Sequence, residues 1–210
     1  MLRDIRSNYD RSSLSEDQVK RNPFDQFKLW LNEAIHEKVP EPTAMIVSTV
    51  DPEGWPDSRV VLLKEVWPDG FIFYTNYKSS KGKQIESNNH IAMNFFWPQL
   101  ERQIRIIGET EKVPPQLSEE YFATRPVDSQ LGAVASNQSS VISSRHELED
   151  KYNELQKIYE GQAVPKPEHW GGYLVKPSRF EFWQGRLNRL HDRLRYEKSG
   201  NEWIIYRLSP

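Results

Sequence analysis

Thr43-Ala44-Met45-Ile46-Val47-Ser48-Thr49-Val50 is followed by Asp51-Pro52-Glu53-Gly54, then by Ser58 to Glu65, then by Trp67-Pro68-Asp69-Gly70 and Phe71-Ile72-Phe73-Tyr74-Thr75. These are three β-prone runs of strand length, parted by tetrapeptides of turn formers. Strands joined by such short turns indicate an antiparallel meander, and so a barrel or a sandwich. Downstream the pattern continues through a short helix at Ser79–Asn88 and strands at Ile91–Trp97 and Gln103–Val113. Upstream, Asn22-Pro23 opens a helix with Asn as cap and Pro at its first position. Its spacing turns Phe24, Phe27, Leu31, Ala34 and Ile35 to the core, and Pro40 and Pro42 end it.

The middle of the chain reads as helical. Ser118 is placed as a cap with Glu119 and Glu120 in the first turn, and Pro126 closes that segment. Ser144 and Glu147 make a capping-box pair ahead of an apolar stripe of Leu148, Tyr152, Leu155 and Tyr159. Strands return at Gly172–Val175, Phe180–Trp183, Leu190–Tyr196 and Trp203–Leu208. The fold class is α+β around an antiparallel barrel, with residues 1–21 as a flexible polar arm and residues 22–210 as a single domain.

Composition narrows the function. The chain of 210 residues is 37% hydrophobic and 28% charged, with seven Trp, nine Tyr and nine Phe, which argues for a packed core. A net charge of -2 speaks against nucleic-acid binding by bulk positive charge, so any anion site must be local. There is no Cys, hence no disulfide, thiolate metal site or Cys nucleophile. Met1 to Gln18 lacks a signal-peptide core and no run has the length of a membrane span, so a cytoplasmic location without membrane partners is expected. Phosphate-loop, dinucleotide, zinc-helix and nucleophile-elbow signatures are all missing.

Short cationic and hydroxyl segments remain. In Phe182-Trp183-Gln184-Gly185-Arg186-Leu187-Asn188-Arg189-Leu190-His191-Asp192-Arg193, cations recur at Arg189, His191, Arg193 and then Arg195. An extended reading puts all four on one face, either as a floor for an anionic ligand or as a charged edge strand that resists aggregation. His191 favours the first, because imidazole exchanges a proton near neutral pH. Arg59-Val60-Val61-Leu62-Leu63-Lys64 carries a cation at each end, of opposite parity. Tyr121 and Arg125 are helix neighbours at a spacing of four and, with Ser129, offer a phosphate one guanidinium and two hydroxyls. Tyr74-Thr75 with Ser79-Ser80-Lys81 offers a second anion cradle.

In this order the segments resemble the pyridoxine (pyridoxamine) 5′-phosphate oxidases, from Asn22-Pro23-Phe24 to Arg207-Leu208-Ser209-Pro210. The most specific pieces are Arg59 to Lys64, Phe73-Tyr74-Thr75-Asn76, Ser129-Gln130-Leu131-Gly132, Trp170-Gly171-Gly172-Tyr173 and Phe182 to Arg193. The resemblance implies a split β-barrel homodimer with peripheral helices and FMN at the subunit interface. It implies oxidation of pyridoxine and pyridoxamine 5′-phosphates to pyridoxal 5′-phosphate, with dioxygen giving hydrogen peroxide. FMN contacts then fall on Arg59, Val60, Val61, Leu62, Leu63, Lys64, Tyr74, Thr75, Lys81, Gln103, Gln138, Ser139, Trp183 and Arg193. Substrate contacts fall on Lys64, Tyr121, Arg125, Ser129, Arg189 and His191, the last two as catalytic residues, with Arg6 and Tyr9 on an arm that closes over the substrate. No metal is implied.

Two positions depart from the family pattern. Ser80 stands at a cofactor position where the family usually has Arg, a loss of about 1.5–3 kcal/mol of charge-assisted hydrogen bonding, or about ten- to a hundredfold in FMN affinity. Val134 stands where Trp is common. The rival readings are another split-barrel flavin oxidase, of the phenazine-biosynthesis type, and a non-catalytic FMN-binding module.

Overall fold

In the computed structural model, which describes residues 1–4 and 8–210, nine strands pair antiparallel in one sheet. Its order is β2 (Pro56–Leu62), β1 (Ala44–Val50), β5 (His90–Trp97), β6 (Arg102–Lys112), β7 (Trp170–Gln184), β4 (Phe71–Asn76) and β3 (Glu65–Val66). β2 and β3 are consecutive in the chain, yet they stand at opposite ends of this order. Only Leu63 and Lys64 join them, so the sheet curls until its ends meet. Leu63 N–H bonds Thr43 O and Lys64 N–H bonds Ile72 O, both at 2.9 Å, which stitches the closure. The result is an α+β curled, split-barrel sheet.

β7 is one strand of fifteen residues, where two short strands were expected. Its first half pairs with β4 and its second half with β8 (Asp192–Ser199), while β6 lies along both. Pro177 is accommodated because the register shifts between Ile107 and Gly108, a bulge that relieves the strand of the missing donor. β9 (Glu202–Arg207) pairs with β8 at the end of the sheet.

The barrel is filled by aromatic side chains, Phe71, Phe73, Phe95, Phe180 and Phe182 among them, all fully buried. α1 (Pro23–His36) plugs it. Asn22 Oδ1 accepts from Phe24 N–H as expected of the cap. The buried stripe is Phe24, Phe27, Trp30 and Ala34; Leu31 is half-buried and Ile35 is exposed. Phe24, Phe27 and Ala34 are inside as expected, and the stripe departs at Trp30, which is buried a turn back from Ala34, and at Ile35, which sits about 100° round the helix and is exposed. The helix also stops at His36, before Pro40, with Lys38 in the left-handed region.

The remaining helices flank the barrel: α2 (Ser80–Ser87), α3 (Pro115–Thr124), α4 (Val127–Ala135) and α5 (Arg145–Ile158). Ser79 caps α2, and Ser144 caps α5 by accepting from Glu147 N–H. Ser118 is not a cap. α3 begins at Pro115, and buried Ser118 instead accepts from Gly172 N–H. Tyr152, Leu155 and Tyr159 pack against Phe122, Leu131, Val164 and Trp170, whereas Leu148 is exposed.

The segment expected as an arm lies against the barrel from Arg11 onward. Leu14 is buried in the main core, and Arg11 pairs with Glu37 at 2.8 Å. Trp30→Ala should cost about 3–5 kcal/mol and Ile35→Ala about 0.5 kcal/mol. Urea unfolding of the two variants checks the observed phase of α1.

Candidate active site

The barrel closure opens into a cleft of about 820 Å³. β2 supplies Arg59, Val60, Val61 and Leu62, the closing connection Lys64, and β4 Tyr74, Thr75 and Asn76. Lys81 enters from α2, Tyr121 from α3, Ser129 from α4, and Arg125, Gln138 and Trp170 from their connections and β7. Among the described residues the lining has four cations and no carboxylate, a composition suited to an anion. Arg59 and Lys64 share the cleft despite their opposite parity, since β2 ends at Leu62 and the alternation ends with it.

Each cation is held differently. Arg59 donates to Thr49 Oγ1 at 2.6 Å, to Asp57 Oδ2 at 2.5 Å and to Gln84 Oε1 at 3.1 Å, so it is rigid and partly neutralised. The Lys81 ammonium is buried and has only neutral acceptors: Gln138 Oε1 at 3.0 Å, Thr75 Oγ1 at 3.2 Å and Ser79 Oγ at 3.4 Å. Burial, then the nearby Arg59, push its pKa down to about 8, against a smaller opposing pull from Asp57. Arg125 lies one residue past α3, not on it, because the residue before Pro126 is biased to extended backbone. Its guanidinium stacks over Trp170 at 4.8 Å, and its buried Nη1 has no partner among the described residues. Burial moves the Arg125 pKa below its usual value.

Tyr74, Tyr121 and Trp170 form the aromatic wall, Tyr74 and Tyr121 stacked at 4.0 Å and Tyr74 and Trp170 at 5.4 Å. The Tyr74 hydroxyl donates to Glu65 at 3.0 Å, so this residue gives the cleft a ring and not the free hydroxyl expected. Gly172 sits opposite Tyr74 in register, and a Cβ there would lie 2.8 Å from its ring. The glycine is what lets the wall lie flat.

A second group stands on the other half of β7. Gln103, Trp183 and Arg193 are lateral neighbours across β6, β7 and β8. His191 packs on Trp183 with ring centroids 4.7 Å apart, and Tyr9 meets both rings edge-on. The four expected cations do not share one strand face. A helical turn at Leu187–Arg189 and left-handed backbone at Asn188 and Arg189 interrupt the chain, and β8 starts only at Asp192. Arg193 and Arg195 therefore keep the strand alternation, while Arg189 and His191 sit on a turn. His191 Nδ1 accepts from Arg186 N–H at 3.1 Å, which leaves Nε2 to carry the proton of the neutral ring. Burial and then Arg189 lower the His191 pKa, favouring that neutral form. Arg193 is paired with buried Glu181 at 2.9 Å, an acid that sequence reading missed for want of any local pattern.

The cleft therefore gathers Arg59, Val60, Val61, Leu62, Lys64, Tyr74, Thr75, Lys81, Tyr121, Arg125, Ser129 and Gln138. Leu63 is buried in the barrel core, and Ser80 and Ser139 are exposed outside the lining. Gln103, Trp183, Arg189, His191, Arg193 and Tyr9 form or flank the second group and do not line the cleft. Arg6 lies outside the described residues. Trp170 entered the sequence reading only as part of a motif, and Asp57, Thr49 and Gln84, which orient Arg59, not at all.

Residues 31–159 match the family model described as pyridoxamine 5′-phosphate oxidase, and residues 170–210 match that of the pyridoxine 5′-phosphate oxidase C-terminal dimerisation region. The chain belongs to the pyridoxine/pyridoxamine 5′-phosphate oxidase family. Proteins of that name from Leptospira biflexa and Haemophilus influenzae are each 53% identical over 209 residues, covering 100% of this chain and 99% of theirs. The crystal structure of PhzG from Burkholderia lata 383 in complex with tetrahydrophenazine-1-carboxylic acid has a TM-score of 0.91 at 30% identity, covering 97% of this chain and 100% of that one. A pyridoxamine 5′-phosphate oxidase-related, FMN-binding protein from Nostoc punctiforme shares the fold, with a TM-score of 0.71 at 14% identity.

Enzymes of this family are FMN-dependent, and the residues present fit that cofactor. Among the described residues the buried Lys81 ammonium has no counter-ion and faces a cleft lined by no acid. An incoming phosphate satisfies such a group, which is costly to leave alone. FMN affinity of the apoprotein should hold steady near pH 7 and weaken as pH rises through about 8, because Lys81 then loses the proton that makes it a phosphate partner. Lys81→Met should weaken binding at pH 7 by about ten- to a hundredfold and flatten this dependence. Fluorescence titration of FMN into apoprotein between pH 7 and about 9.5 measures both.

Proposed function

We propose that this protein oxidises pyridoxine 5′-phosphate and pyridoxamine 5′-phosphate to pyridoxal 5′-phosphate, with FMN as cofactor and dioxygen as final acceptor. The observation that carries the reading is a cleft with four cations and no acid, in a chain 53% identical over its whole length to oxidases of this name. The phenazine-related reading is less favoured, at 30% identity. Bound FMN supplies the hydride acceptor for the substrate's 4′ carbon and the route of electrons to dioxygen.

The chain's own residues bind and orient. Arg59, Lys81, Thr75 and Gln138 are assigned to FMN, with Val60, Val61, Leu62 and Tyr74 along the wall. Lys64, Tyr121, Arg125 and Ser129 are assigned to the substrate phosphate, a clamp remote from the reacting carbon that spends binding energy on position. Arg189 and His191 are assigned to the ring, His191 as a neutral Nε2–H donor toward an oxygen substituent. Arg193, held by Glu181, and Trp183 with Gln103 complete the flavin contacts. Lys78 is exposed two residues before Ser80, and Lys81, the cation next to Ser80 in sequence, is already assigned to FMN.

The two groups are assigned to one site through a homodimer. Trp183, Arg189, His191 and Arg193 lie within the matched dimerisation region and line no part of their own chain's cleft, so the partner's copy completes it. The proposal includes one domain at residues 22–210 with an arm at 1–21, a cytoplasmic location, and no nucleic-acid or membrane partner. Among the described residues no helix is long and apolar enough to cross a membrane.

Purified protein should be yellow, and pyridoxine 5′-phosphate should bleach it under anaerobic conditions; a colourless protein, or flavin that stays oxidised, overturns the reading. Arg193→Ala should lose flavin, whereas Arg189→Ala and His191→Ala should keep it and lose turnover, by about 2–4 kcal/mol for Arg189. FMN content beside single-turnover flavin reduction separates these outcomes. Mixed dimers of Arg125→Ala and Arg189→Ala chains should regain activity that neither variant has alone.

A further inference from the structure

The turn carrying Arg189 and His191 is costly to hold. Asn188 and Arg189 both have left-handed backbone, with φ of 58° and 62°, and for arginine that conformation is unfavourable. Such backbone persists where the surroundings over-determine it. The surroundings here are three contacts within the chain that meet at Asp192, the residue after His191. Arg207 Nη1 donates to Asp192 Oδ1 at 2.9 Å, and Leu14 N–H donates to Asp192 Oδ2 at 3.0 Å. Arg186 Nε lies 3.5 Å from Asp192 Oδ2, and its Nη1 donates to Ser12 O at 3.0 Å. The backbone N–H of the same Arg186 bonds His191 Nδ1. Arg207 in turn grips Glu16 through two nitrogens, at 2.9 and 2.7 Å, and donates to Leu14 O at 3.1 Å.

We propose that Arg207 is a positioning residue for the Arg189–His191 turn, acting through Asp192, with Glu16 as the carboxylate that orients its guanidinium. The inference rests on the reading that Arg189 and His191 hold the substrate ring. Arg207 fastens Leu14 and Glu16 to the end of β9, and that segment leads back to Tyr9 on the Trp183 and His191 rings. A Cβ on Gly185 would lie 2.7 Å from Tyr9, so the segment is seated closely against the start of the turn. Without the two-pronged grip, Asp192 is left to Arg186 and Leu14, and the left-handed turn loses a support from β9. The phosphate-facing cleft uses none of these residues.

The test uses FMN-loaded Glu16→Gln, Arg207→Met, Arg207→Lys and the Glu16→Gln/Arg207→Met double variant, with steady-state kinetics, FMN content and thermal midpoint for each. The expected result is kcat/KM lower by about ten- to a hundredfold for Arg207→Met, as misplacement of a binding group costs. FMN content stays at the wild-type level, Arg207→Lys recovers part of the loss, and the double variant is little worse than Arg207→Met. A lower thermal midpoint with unchanged kcat and KM in both single variants overturns the proposal and leaves a merely structural tie. Should Arg207→Met fail to fold, Glu16→Gln decides alone: unchanged kcat/KM at full FMN content overturns it. An Arg189→Ala control separates the premises, since full turnover there overturns the substrate assignment itself.

Discussion

The two-residue link between β2 and β3 is the constraint on which the rest of the structure depends. Strands that follow one another with only Leu63 and Lys64 between them are placed at opposite ends of a seven-strand path, and no flat sheet satisfies that. The sheet has to curl, and the curl gives fully buried Phe71, Phe73, Phe95 and Phe180 an interior to fill. At the link itself the alternation of a strand becomes a division of labour. Leu63 goes into the barrel, while Lys64 stays outside beside Arg59 and the end of β4. The cleft is the outer side of the same closure that makes the core.

Cations gathered there are held at a cost to the folded chain. Lys81 gives up bulk water for three neutral oxygens, and Arg125 exchanges it for an indole face and, among the described residues, leaves one buried nitrogen without a partner. Adding a carboxylate to either would stabilise the protein alone and would compete with an anionic ligand. Arg59 is the exception that supports this view, since its carboxylate partner Asp57 stands outside the lining and braces it with Thr49 and Gln84. Burial in place of pairing keeps these charges available, a trade of stability for binding that active sites often show.

The C-terminal half solves a different problem, that of holding a few side chains on a short turn. Arg193 has the rigidity of a strand and of its pairing with Glu181. Arg189 and His191 have neither, and their positions come from contacts made by residues 12–16, Arg186 and Arg207, distant in sequence from one another. An arm that would be plain polar chain on its own is thus built into the site.

Strand identity, the caps at Asn22 and Ser144, and most of the cleft's residues were legible in the sequence, because turn chemistry, capping and side-chain alternation are local and leave local patterns. The family was legible as well, through motifs such as Arg59 to Lys64 and Phe182 to Arg193. What depended on tertiary structure was every feature set by residues far apart in the chain. The phase of α1 was decided by which side of the helix met the barrel mouth, which put Trp30 inside and Ile35 out. Ser118 lost its expected capping role to a bond with Gly172, a strand away. The cationic row at Arg189, His191, Arg193 and Arg195 read as one face only while the backbone was assumed extended. The left-handed residues at 188 and 189 broke that assumption, and long-range ties to Asp192 hold them there. Alternation is a property of the strand, so it predicts faces only as far as the strand runs; where it stops is set by packing and hydrogen bonds that no local pattern records.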